Sequence, residues 1–277
     1  MTVASSPPSR RDVAFLAPLF VFMLLVFDLP ILIMLGWSVS NPTVTLKHYA
    51  TVFQVPVYLK VLANTGRIAV VTTVVCVGLG YPLAYWLRGL AGRARLIGLA
   101  LLVLPFWISI LIRTYAWIVI LGNAGVVNRT LQAVGLIGAP LPILYNELGV
   151  TIGTVNVLLP FFVLPLYASM LRIDERLLQA AASLGASQRM VFWRVFFPLT
   201  APSVAAGAIL VFILTLGFYI TPAVLGGGRV PMIANMLEML INTFPRWELA
   251  AAISTVLLLL VSAFYLLSRT IRTHASY

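Results

Sequence analysis

Seven carboxylates, two histidines and one cysteine are the carboxyl, imidazole and thiol groups that the 277-residue chain offers for acid–base, metal or nucleophilic chemistry. The acids (Asp12, Asp28, Glu147, Asp174, Glu175, Glu238 and Glu248) form no Ser/His/Asp, HExxH or catalytic-pair arrangement. Cys76 lies alone in an apolar run, so neither a disulfide nor a cysteine metal site can be built from it. His48 and His274 are too far apart in sequence to suggest a metal centre. No G-x-x-x-x-G-K-[S/T] loop is present to cradle a nucleotide phosphate. The nearest glycine cluster, Gly226-Gly227-Gly228-Arg229, runs into Val-Pro and reads as a flexible turn. An intramembrane enzyme is therefore poorly supported. Transport, a channel or a structural anchor remain.

The other polar residues of interest sit inside apolar runs. Asp28 precedes Leu29-Pro30, and a charge at such depth costs about 2.5–3.5 kcal/mol on insertion scales, so it must face protein or water. It fits either a pathway or subunit-contact residue, or one that satisfies backbone groups freed by a kink at Pro30. Arg113 lies among Trp107, Tyr115 and Trp117, where it could hold an anion or an aromatic ring, or snorkel at an aromatic belt. Asn156, followed by Pro160 and Pro165, and the segment Gly217-Phe218-Tyr219 with Pro222 give two further runs the polarity and flexibility a moving pathway needs.

These positions belong to a chain that is 61% hydrophobic and 9% charged, with a formal net charge of +11. So few charges exclude an ordinary soluble domain. The basic residues fall in short breaks between apolar runs, not on one solvent face, which argues against nucleic acid as a partner. Six runs are long enough to span a bilayer as helices: residues 13–37, 62–87, 96–121, 148–171, 200–224 and 249–268. They are apolar on every face, so barrel strands are excluded. The expected class is an all-α integral membrane protein forming a single domain over 1–277. The first run is about twice the length of a signal-peptide core, so it reads as a retained anchor despite the small-x-small triplet Ser38-Val39-Ser40.

Orientation follows from the basic residues. Eleven of the eighteen, from Arg10 and Arg11 through Arg88, Arg93, Arg95, the 172–194 stretch, Arg269 and Arg272, fall on one side, predicting that both termini are cytoplasmic. On the opposite side, LQAVGLIGA within 122–147 and MIANMLEMLINT (232–243) read as short capping segments, suited to a gated cavity or to docking an external protein.

The polar break RIDERLLQAAASLGASQRMVFWRVFFPLTAP starts at Arg172, on the predicted cytoplasmic side. Asp174 is a plausible N-cap, and Gly185 a left-handed helix end. A second helix is expected from Ser187 through Phe197, stopping at Pro198, with Met190, Trp193 and Phe197 on one buried face. This stretch resembles the coupling loop of binding-protein-dependent (MetI-like) ABC-transporter permeases: E-A-A, three residues, G, nine residues, I-x-L-P. Gln179-Ala180-Ala181, Gly185, Val195, Phe197 and Pro198 fall at those spacings, with Gln179, Val195 and Phe197 replacing the family's Glu, Ile and Leu. PFWISILIRTYAWIVIL (105–121), PLPILYNELGV (140–150) and LLPFFVLPLYASMLRID (158–174) look like segments of spermidine/putrescine uptake permeases.

The resemblance implies a six-helix permease with the type I importer fold. It also implies a coupling loop of Gln179, Ala180, Ala181, Gly185, Ala186, Ser187 and Pro198 that seats on a separate ATPase. ATP and Mg would be bound by that ATPase, with no cofactor in this chain. Expected partners are two cytoplasmic ATPase subunits, a homologous second permease in a heterodimer, an extracytoplasmic substrate-binding protein and membrane lipid. The location would be the bacterial inner membrane. The implied solute is polyamine-like, with another amine, an amino-acid derivative or an opine-like compound as alternatives. Such permeases are expected to carry an acid in span five, yet LTLGFYITPAVLGGG has none. The candidate pathway residues are Asp28, Trp107, Arg113, Tyr115, Asn156, Phe218 and Tyr219. A passive channel would conduct without ATP, and an anchor would bind no ATPase.

Overall fold

In hydrocarbon the backbone has no water to bond, so each long apolar run must satisfy its own N–H and C=O groups and coils into helix. The computed structural model describes residues 10–40 and 43–274; beyond one isolated bridge between Ser40 and Val44 they contain no strand. The helices are α1 (10–39), α2 (Lys47–Gln54), α3 (Pro56–Gly89), α4 (Gly92–Val103), α5 (Ile110–Leu121) and α6 (Val126–Ala133). They continue with α7 (Glu147–Met170), α8 (Glu175–Ser183), α9 (Gln188–Leu216), α10 (Ile220–Leu225), α11 (233–243) and α12 (Trp247–His274). Six helical stretches are long and apolar enough to cross a membrane. The orientation expected of the two termini concerns residues 1–9 and 275–277, which lie outside the described residues.

The described residues fall into two compact units. The smaller contains those through Pro56 and Met239–Leu260; the larger contains Val57–Glu238 with the chain from Val261. In the smaller unit, α2 is tied to α1 by Ser38. The Ser38 hydroxyl donates to the Leu35 carbonyl (2.6 Å), so the Tyr49 hydroxyl at 2.7 Å is the donor to Ser38. In the larger unit the principal core surrounds α7, where Leu158, Phe162, Val163, Leu166 and Met170 are buried against Cys76, Ala84 and Leu87 of α3 and Val211 of α9.

Phe162 is the pivot of that core. Its ring is fully buried, and a Cβ added at Gly80 of α3 would come to 2.5 Å from it, one at Gly207 of α9 to 2.8 Å. Lipid gives helices no hydrophobic reason to associate, so close van der Waals fit must hold them together. Small residues permit that fit. Hydroxyl pairs add to it: Ser169 and Ser203 lie 2.6 Å apart, and Tyr81 donates to Thr200 at 3.1 Å, since the Thr200 proton goes to the Phe197 carbonyl.

Three expectations need correction. The run 96–121 is not one helix: α4 passes into a 3-10 turn at Leu104–Trp107, and Ile108 and Ser109 are extended before α5 starts. Pro105 has no N–H to continue the ladder. The run 200–224 is also broken, because α9 ends at Leu216 and Gly217, Phe218 and Tyr219 precede α10. Finally, Pro198 does not stop a separate helix, since α9 runs through it from Gln188.

The last correction has a physical cause that recurs. Proline lacks the donor for an i→i−4 bond, and its ring clashes with the carbonyl that would have accepted it. Each of the three π turns, Leu24–Asp28, Phe192–Phe196 and Met239–Thr243, is closed by an N–H from the residue immediately before a proline. Leu29 donates to Leu24, Phe197 to Phe192 and Phe244 to Met239, ahead of Pro30, Pro198 and Pro245. The wider turn absorbs the clash, and the first two helices continue. The extra residue also shifts the side-chain phase. Phe196 is buried and Phe192 half-buried, whereas Met190 and Trp193, expected on the buried face, are exposed.

The Phe162 contact predicts three outcomes for melting of the purified chain in detergent. Gly207→Val should cost about 1–3 kcal/mol by overpacking, and Phe162→Ala about 3–5 kcal/mol by leaving a cavity. Gly78→Ala, in the helix interior with an added carbon that meets nothing within 4 Å, should not lower Tm and should raise it slightly.

Candidate functional site

Two places in the larger unit concentrate the residues whose chemistry is not explained by packing alone. One is the elbow between α7 and α9. Asp174 caps α8 by accepting the Arg176 N–H at 2.9 Å. At the other end Gly185 takes φ +85°, its N–H bonds the Ala182 carbonyl (2.9 Å), and the Ala186 N–H bonds Ala181 (3.1 Å). These two bonds form a Schellman end, which needs a left-handed residue at the glycine position. Ser187 then caps α9 by accepting the Met190 N–H at 3.4 Å.

Arg88, in the last turn of α3, ties this elbow to the helical core. Its Nε donates to the Met170 carbonyl at 3.2 Å, its guanidinium lies 3.6 Å from the Glu175 carboxylate, and its Cζ sits 4.9 Å above the Phe196 ring. One side chain thus touches the end of α7, the start of α8 and the π turn of α9. Met170 supplies one of the carbonyls that a helix end leaves without an intrahelical donor, and a cation there also suits the helix dipole. Tyr85 and Tyr81, one and two turns back on α3, pack edge-on against Phe192, and Tyr85 also against Phe196. A hollow of about 410 Å³ opens between Tyr85, Arg88, Leu178, Gln179, Ala186 and Phe192.

The second place is an open groove of about 670 Å³ between α3 and α7, with Trp117 of α5 at its side. Arg67, Val71, Val75 and Leu79 line it at four-residue spacing, one stripe of α3. Thr151, Ile152, Val155, Asn156 and Leu159 line it from α7. At one end Arg67 and Glu147 form an exposed ion pair at 3.2 Å. Along the apolar wall, the Oδ1 of Asn156 is shielded from solvent and has no hydrogen-bond partner among the described residues. A buried amide oxygen without a donor costs about 1–3 kcal/mol, so it is a position ready to accept one.

No family model matches the chain. It is 37% identical over 226 residues to the spermidine/putrescine transport system permease protein PotB of Haemophilus influenzae, covering 80% of this chain and 79% of that one. To the PotB of Escherichia coli it is 34% identical over 250 residues, 90% of each chain. This chain belongs to the binding-protein-dependent ABC-transporter permease family. Its fold is also that of a solved bacterial ABC transporter involved in alginate import, with a TM-score of 0.78 over 96% of both chains at 19% identity. A second structure of an alginate transporter, in complex with a pentasaccharide-bound periplasmic protein, gives 0.76 over 94% of this chain and 93% of that one, again at 19% identity.

Of the candidate pathway residues, only Asn156 lines the permease's groove. Trp107 is 88% exposed at the break before α5, and Tyr115 is also exposed. Arg113 is half-buried, and its Nε has no partner among the described residues. Phe218 packs on the principal core, and Tyr219 uses its carbonyl to accept from Asn235 at 3.1 Å. Asp28 lies in the smaller unit on the exposed surface of α1; its carboxylate caps no backbone N–H, so it does not mend the ladder at Pro30. Of the elbow residues, Gln179, itself exposed, and the half-buried Ala186 line the hollow; Ala180, Gly185, Ser187 and Pro198 are exposed and Ala181 is half-buried. Sequence reasoning counted Arg88, Arg67 and Glu147 only as charges. The signal for Arg88 was its place one turn after Tyr85 in YPLAYWLR, on an aromatic stripe.

Arg88 and its partners separate two magnitudes. The Arg88 side chain is 17% exposed and serves three neighbours, whereas Glu175 is 77% exposed. Arg88→Met should therefore destabilise the elbow by about 1–3 kcal/mol, because the Met170 carbonyl loses a charged donor. Glu175→Gln should cost less than about 1 kcal/mol, as exposed pairs do. Hydrogen exchange of amides 175–196 in the purified permease measures both.

Proposed function

We propose that this permease forms the membrane pathway of an ATP-driven importer for a polyamine-like organic cation, with its elbow seated on a separate cytoplasmic ATPase. The single observation carrying the coupling part is the elbow itself: a capped, small-residue turn projecting an apolar tip. Leu184, next to Gly185, is 89% exposed, in a stretch too polar to enter lipid. An exposed leucine on a rigid turn fits a protein groove. The identity to the two PotB relatives supports the substrate class.

In this reading two ATPases, a second and related permease and an extracytoplasmic binding protein complete the transporter. Closure of the ATPases moves the elbow, Arg88 carries the displacement into α3 and α7, and the groove between those helices changes its access. The 172–198 side faces the cytoplasm in the inner membrane, as the basic residues argue. ATP and Mg bind on the partner, since this chain has no phosphate loop.

A zwitterionic amino-acid derivative is the second reading for the solute. It is favoured by the groove's own charges, because Glu147 is already matched by Arg67 and no further acid lines the wall. Competition by polyamines and by amino acids in uptake assays of the complete transporter separates the two.

The coupling proposal is tested at Gly185. Proline cannot adopt φ +85°, so Gly185→Pro should break the Schellman end. It should lower both uptake and solute-stimulated ATP hydrolysis by at least about tenfold, with loss of ATPase co-purification; wild-type values in all three would refute the proposal. Orientation is tested at Leu184→Cys, since Cys76 is fully buried and silent to labelling. A membrane-impermeant maleimide should label it in inverted vesicles and not in intact cells.

A further inference from the structure

The smaller unit holds a polar hollow of its own. Trp37 in the last turn of α1, Ser40, and Trp247 and Glu248 in the first turn of α12 line a space of about 420 Å³. The two indoles stand at 86° with centroids 5.8 Å apart, and they are 45% and 48% exposed. Both half-exposed indoles line the corner, and an open indole face attracts an organic cation. Glu248 adds a carboxylate to the same corner. Glu248 takes part in neither the Arg67–Glu147 nor the Arg88–Glu175 pair, and no basic side chain lines the hollow.

A second hollow of about 360 Å³ shares both tryptophans and is otherwise largely apolar, running past Ile33, Met34, Ile241 and Ala250. Each part has an ordinary explanation alone. Tryptophans at the ends of spanning helices belong to an interfacial belt, and an acid in a first turn complements the helix dipole. Neither explanation brings an acid and two indoles around one cavity with an apolar slot adjoining it.

We propose that this corner is a binding site for a primary organic ammonium, whose alkyl chain enters the adjoining slot. The ammonium lies over an indole face and donates to Glu248, while the methylenes replace water in the slot. Two molecules carry that chemistry to a membrane protein: a free alkyl monoamine, whose far end is apolar like the slot, and the headgroup of phosphatidylethanolamine. The site does not depend on the transport reading, because it is defined by binding and lies apart in sequence from the groove residues.

The test uses the full-length chain in phosphatidylglycerol nanodiscs, titrated calorimetrically with butylamine, with butanol as the uncharged control. A parallel arm measures phosphatidylethanolamine retained from mixed lipid by native mass spectrometry. Saturable butylamine binding that weakens at least about tenfold in Glu248→Gln and Trp247→Leu, and recovers in Trp247→Phe, supports the site with a free amine as its ligand. Retained phosphatidylethanolamine that follows the same variants supports it with lipid as the ligand. The proposal is overturned if the wild type binds neither, or if Glu248→Gln and Trp247→Leu bind as the wild type does while melting at its temperature. Uptake by the complete transporter is a separate readout, so failure there leaves this result standing.

Discussion

The ring of Phe162 meets a glycine on either side, Gly80 of α3 and Gly207 of α9, and the larger unit closes around that contact. In lipid the gain from burying an apolar side chain against another helix is small, so helices stay together by fitting closely. Once the three backbones are drawn in around one ring, the polar links become possible. Tyr81 reaches Thr200, Ser169 reaches Ser203, and Arg88 reaches the last carbonyl of α7. The elbow is thus held by helices whose spacing is set one or more turns deeper in the core. Its caps determine its shape, and the Phe162 contact governs where it sits.

A different constraint governs the ends of the helices. On the opposite cap, Asn128 satisfies three backbone groups at once, donating to Gly122 and Leu141 and accepting from the Leu141 N–H. Thr65 does similar work for α11, donating to Val61 and accepting from Ile233. Such side chains let short irregular segments sit against helix ends without orphaned backbone polar groups. The groove has no such provision at Asn156, whose oxygen stays unmatched.

Much of this was legible in the residues. The six apolar stretches, the cap at Asp174, the helix start at Ser187 and the left-handed Gly185 all follow from local chemistry, and local chemistry decides them. The break at Leu104–Ser109 was missed because hydropathy continues straight through Pro105, Phe106 and Trp107, and apolarity does not report backbone geometry. The continuity of α9 was missed for the opposite reason. Pro198 reads as a stop, and only a π turn, which has no composition of its own, lets the helix pass. Asn156 was recognisable as a polar residue in a span, but its company of Arg67, Thr151 and Trp117 depends on how α3, α5 and α7 meet. Arg88 was hidden among the basic residues because its value lies in three partners from separate parts of the chain.

The π turn at Phe192–Phe196 also bears on how α9 can transmit motion. A π turn is one surplus residue in the hydrogen-bond ladder, and along an uninterrupted helix it can migrate by exchanging donors one at a time. Here the next donor toward Leu216 would be Pro198, which has none. The surplus residue is held between the elbow and the proline. A motion of the elbow would therefore meet a π turn fixed at the start of α9, with Pro202 as the next missing donor along the helix.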